Sequence, residues 1–194
     1  MKFTLHYDGS LPPTGTAADK QRIRRVFHSQ LERVWLDHPV LSMFANNRMA
    51  LPEGTLRGIS VKTDGRFAGM GPWQNNMCRV SVGGFELVPL VLKENAVSCE
   101  LHIKFLRLGR PGDVTKGGDL DNRLKTLLDA LRIPHRKDQL GRDKPASVNE
   151  RLYCLLGDDS LITGVSVDSD QLLSASSASR AVLYIEVTLT TYLY

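Results

Sequence analysis

The chain has 194 residues, 42% of them hydrophobic and 24% charged, with a formal net charge of +4. These values exclude wholesale disorder, allow one domain with a sizeable core, and leave no apolar run long enough to span a bilayer. The positive excess is compatible with a polyanionic partner without requiring one.

The first residues, Met1 to Tyr7, alternate apolar and polar, which predicts a strand rather than a targeting segment and a cytoplasmic protein. Cys78, Cys99 and Cys154 are odd in number and far apart, which argues against a disulfide framework or a zinc site and for reduced, buried thiols. Thr16 with Asp19 three residues on predicts a helix start. Ile23, Phe27, Leu31, Val34 and Trp35 then recur at helical spacing as far as Pro39. Lys20, Arg22, Arg24, Arg25 and Arg33 fall on the other side, expected as a solvated face, although such a face can also follow a phosphate backbone.

Between residues 40 and 95 the pattern predicts an elaboration: a strand at 58–63 with an Asp64-Gly65 turn, a strand at 77–82, and an apolar run at 85–92. Pro89 marks that run as an edge strand or a bulge. Residues 97–106 alternate, with Val97, Cys99, Leu101, Ile103 and Phe105 on one face. A basic, glycine-rich loop carrying Arg107, Arg110 and Lys116 leads to a helix at 119–131, where Leu120, Leu124, Leu127, Leu128 and Leu131 share a core face. Residues 132–156 look polar and irregular, six Lys and Arg against three Asp and Glu, and are expected as a surface insertion close to substrate. Strands at 161–167 and 180–193 close the chain. The expected fold is α+β, one domain over 1–194 built on a mixed β-sheet with a few packed helices and extra β-rich elaboration.

The chemistry concentrates in two acidic elements. In the first, Asp119 and Asp121 open the helix, and Asp121, Lys125, Asp129 and Arg132 fall together along its flank. An ordinary account makes one acid a cap, the other a response to the helix dipole, and Asp129 a pair for Lys125. In the second, Asp158 and Asp159 are adjacent just before a strand, a turn unless a cation bridges them. A hard divalent cation takes several oxygen ligands, and carboxylates from two segments suit it. His6, His28, His38, His102 and His135 show no ligand spacing, and Asp168 and Asp170 are expected as loop acids.

Asp119-Leu120-Asp121-Asn122, Lys125, the run Leu127-Leu128-Asp129-Ala130-Leu131, and the later Asp158-Asp159-Ser160 before a strand resemble the signature of RusA-type Holliday junction resolvases. The resemblance covers about residues 97–190. It implies a fold with a strand before the first motif and two after the second. It also implies Mg²⁺, with Mn²⁺ as a substitute, held by Asp119, Asp121 and Asp159, and Lys125 needed for cleavage. The implied activity is metal-assisted phosphodiester hydrolysis in branched DNA by a homodimer. Arg107, Arg110, Lys116, Arg123, Arg136 and Lys137 are the expected nucleic-acid contacts. The chain departs from the family pattern at Lys116-Gly117-Gly118-Asp119, where the family has Lys-Pro-Asp, and in its longer link between the motifs. The alternatives are a nuclease on another DNA or RNA structure, and a non-catalytic nucleic-acid-binding protein of a mobile genetic element.

Overall fold

In a computed structural model, residues 1–39, 41–42, 79–93, 96–108, 120–148, 150–174 and 177–191 are described. The elements are β1 (Lys2–Ser10), α1 (Ala17–Asp37), β2 (Val80–Val82), β3 (Phe85–Val91), β4 (Val97–Arg107), α2 (Leu120–Leu131), β5 (Glu150–Leu156), β6 (Ile162–Gln171) and β7 (Arg180–Thr191). The architecture is α+β, as expected. One sheet runs β1-β7-β4-β6 and the other β2-β3-β5. β7 is antiparallel to both of its neighbours, while β4 and β6 are parallel and α2 forms the crossover between them. The expected strand at 58–63 lies outside the described residues.

Local chemistry accounts for the elements. Thr16 Oγ1 accepts from Asp19 N while Asp19 Oδ2 accepts from Thr16 N, the reciprocal box the sequence predicted. The turn between β2 and β3 is Gly83-Gly84, with φ of +61° and +90°, a backbone that side chains with a Cβ adopt poorly. Alternation in β4 buries Cys99, Leu101, Ile103 and Phe105 against Leu183, Ile185 and Val187 of β7. Ile23, Phe27, Leu31 and Trp35 of α1 and Leu127 and Leu131 of α2 complete this core, with Leu120, Leu124 and Leu128 packed at its margin.

Residues 132–156 are not a polar insertion throughout. Leu152 to Leu156 are buried, and β5 pairs in parallel with β3. The two apparent additions therefore build one small sheet. One face carries Phe85, Leu87, Leu152 and Cys154, closed by Ile133 and Leu140; Val88, Leu90, Tyr153 and Leu155 join the main core with α1. The run reads as polar because its charges flank a strand buried on both faces, which lacks alternation. Pro89 fits because β2 pairs only with residues 85–87 of β3, which leaves that side of the ladder open at Pro89.

The basic side of α1 is likewise not a solvated face. Lys20 reaches Asp129 at 2.7 Å, Arg22 donates to Tyr7 Oη at 2.8 Å, and Arg25 bonds both Asp143 and Glu150. Arg24 is buried among backbone carbonyls, while Arg22 and, further, Arg33 extend into solvent. Burial alone would raise the Asp143 carboxyl, but hydrogen bonds from Arg25 and Gln21 outweigh it and hold it below its ordinary 3.8. Glu150 falls below its ordinary 4.5, chiefly through the Arg25 hydrogen bond. Carboxyls depressed by folding contribute stability that is complete above their unfolded values and is lost as pH falls through the folded ones. Denaturant midpoints are therefore expected to drop between about pH 5 and pH 2, and to drop less in Arg25→Ala. An equal drop in both proteins would show that this cluster does not couple to folding.

Candidate functional site

α2 is amphipathic, and its polar residues divide by what they touch. Arg123 is 2% exposed; Nη1 bonds the Leu11 carbonyl and Nη2 the Ala178 carbonyl at 3.1 Å. Expected as a nucleic-acid contact, it instead ties the start of α2 to the ends of β1 and β7. Thr126 Oγ1 accepts from Gly15 N at 3.1 Å. Asp129 does not pair with Lys125; it takes Lys20 at 2.7 Å and Arg132 at 3.2 Å. Burial would raise its carboxyl, but the Lys20 hydrogen bond and the two cations bring it below the usual range.

Asp121, Asn122 and Lys125 are exposed. The Asp121 carboxylate accepts from Asn122 N at 2.7 Å, and among the described residues neither Asp121 nor Lys125 forms an ion pair. Four residues apart, they share one stripe of the helix. Asp119 lies outside the described residues, as do Arg110 and Lys116. Arg107 ends β4 and lies near enough to Arg123 to depress its pKa, after the larger effect of burial. Arg136 and Lys137 are exposed, with Arg136 beside Asp138 at 3.3 Å.

The second acidic element turns the chain from β5 into β6. Asp158 accepts from Ser160 N at 2.9 Å and caps the short helical turn Asp159–Leu161; hydrogen bonding by the Ser160 side chain, then by its backbone N–H, holds the carboxyl below the usual range. Asp158 is thus used by the turn, and Asp159 is left exposed. Asp168 and Asp170, expected in a loop, lie in β6 across from His102 at 3.4 Å and Lys104 at 3.6 Å.

The described residues do not bring Asp121 and Asp159 together within one chain. Asp121 is in the first turn of α2, at the end anchored by Arg123. Arg132, just past the other end, bridges to Leu156, and Ile133 N donates to the Leu156 carbonyl at 2.9 Å. The turn with Asp158 and Asp159 follows directly. The 12 residues of α2 rise roughly 18 Å, so the two acids are anchored on the order of 15 Å apart along its axis. Among the described residues no group of three His, Cys, Asp or Glu side chains is placed to hold a metal ion. What does surround Asp158 is Arg132 and His135, whose side chains meet just past the end of α2.

No family model, curated protein or solved structure matches the chain. Among the described residues no helix is long and apolar enough to cross a membrane.

Proposed function

We propose that the chain is a divalent-metal-dependent endonuclease of the cytoplasm acting on branched DNA, as its RusA-type resemblance implies. One contrast along α2 carries the proposal. Arg123, Thr126 and Asp129 are taken up by the fold, while Asp121 and Lys125, the two motif residues, stand exposed without ion-pair partners among the described residues. An acid and a lysine that contribute little to packing are available to substrate and metal. A strand, β4, before the first motif and two, β6 and β7, after the second also agree with what the resemblance implies, although β5 is interposed before the acid pair. When bound, Mg²⁺ or Mn²⁺ would polarise a phosphoryl oxygen and lower the pKa of a bound water.

If Asp121 and Asp159 share one ion, their separation within one chain means that Asp159 comes from a second copy, in keeping with the proposed homodimer. Mixing subunits tests this. Asp121→Asn and Asp159→Asn proteins are each expected to leave a four-way junction uncut. Exchanged in equal amounts, they form heterodimers in which one site has both acids intact, and nicking returns to about a quarter of the parent rate. No return of nicking would sink the shared site. The same separation favours one second reading, a nucleic-acid-binding protein without catalysis, for which the parent binds the junction and never cuts it in Mg²⁺.

A further inference from the structure

Beyond the motif residues, one cluster is built as though to receive an anion. Asp129 Oδ1 accepts from Arg132 Nε at 3.2 Å and lies in ion-pair range of Nη2, and Lys20 holds the other carboxylate oxygen at 2.7 Å. The backbone is fixed as well: Arg24 Nε donates to the Arg132 carbonyl at 3.0 Å, and His135 N donates to Gln139 Oε1 at 2.8 Å. Arg132 Nη1 lies 3.1 Å from His135 Nε2. A guanidinium has no acceptor, so Nε2 must accept, which puts the imidazole proton on Nδ1. Two of the five guanidinium N–H groups are then engaged, leaving three, and the His135 Nδ1–H is not used by Arg132. The His135 side chain is exposed, and the Asp158-Asp159 turn lies next to both residues.

We infer that Arg132 and His135 form a phosphate clamp that seats a nucleic-acid phosphodiester beside Asp159. A planar fork with its orientation already fixed suits a phosphate oxygen pair, and the entropy of ordering that side chain has been met by Asp129 before any ligand arrives. The carboxylates of Asp158 and Asp159 repel a bare phosphate, so the clamp supplies the attraction needed to bring one close. The inference takes its ligand class from the proposed function but does not need cleavage.

The test is equilibrium binding of a fluorescently labelled four-way DNA junction in EDTA, across a salt series, to the parent, His135→Ala, Arg132→Lys and the control Arg33→Ala. Thermal unfolding of each protein is measured alongside. His135→Ala leaves the Asp129 contacts in place, so it tests the clamp even if Arg132→Lys destabilises the fold. Affinity is expected to fall about tenfold in both clamp variants, with the salt slope little changed because neither removes a formal positive charge, and with the control unchanged. Affinity within twofold of the parent in His135→Ala overturns the clamp, as does a parent that binds no DNA. A clamp effect in a parent that never cuts in Mg²⁺ would sink the nuclease and keep the clamp; cutting with no clamp effect would do the reverse.

Discussion

On the proposed function, replacing Asp159 by Asn is expected to lower Mg²⁺-dependent cleavage of a four-way junction by about a thousandfold or more and to leave junction binding unchanged or slightly tighter. Asn keeps the size and one carbonyl oxygen but removes a charge, so a bound ion would lose both neutralisation and an ideal ligand. Metal activation supplies several kcal/mol to such reactions, and about 1.4 kcal/mol is a factor of ten in rate. The fold has little stake in the change, because Asp159 is exposed and Asp158 caps the turn. Stability should therefore move within about ±0.5 kcal/mol. Parent-like cutting by the variant would remove Asp159 from the chemistry. Loss of cutting together with a large loss of stability would mean that the acid serves the turn.

The largest expected effect on stability is at Arg24. Its side chain is 3% exposed; Nε and Nη2 donate to the carbonyls of Arg132 and Asp129 at 3.0 Å each, and Nη1 to Gln21. These carbonyls close the C-terminal end of α2, where intrahelical donors run out. Arg24→Ala strands them in a buried place and opens a cavity, at a combined cost of about 3–5 kcal/mol. Urea unfolding with unchanged m-value measures it. Arg24→Met, which restores most of the volume without the donors, is expected to recover only part of the loss. A cost under about 1 kcal/mol in Arg24→Ala would show that water replaces the guanidinium.

Much of the main sheet was legible in the sequence because its strands are buried on one face and alternate, and because α1 has a capping box and an apolar stripe. The small sheet was not. β5 is buried on both faces and carries no alternation, and its partner β3 lies in a distant segment. Charge was the poorest guide. Arg24 and Arg123 look like surface cations in sequence and are buried donors to carbonyls; Lys20, Arg25 and Asp129 pair across the fold at separations that no local spacing predicts. The site motifs were found as sequence, but their arrangement was not, since the length of α2 sets Asp121 and Asp159 at opposite ends. The sequence places Arg132 on the flank of the helix and leaves His135 aside, because a lone histidine after a helix carries no signal until its neighbour is known.

The parallel pairing of β3 with β5 also constrains the order in which the chain can acquire its structure. All of β4 and α2 lies between those two strands, so this ladder closes a long loop, and its contacts are repaid only after that loop's entropy has been spent. β5 buries one side on α1 and the other on Ile133 and Leu140, and neither surface is in place before the helices dock. The small sheet is thus a late, non-local closure, while α1 and the β2–β3 hairpin can nucleate from neighbouring sequence. Until that closure, the back of α1 and both faces of β3 remain wet, and this interval is when the chain is most exposed to misassociation.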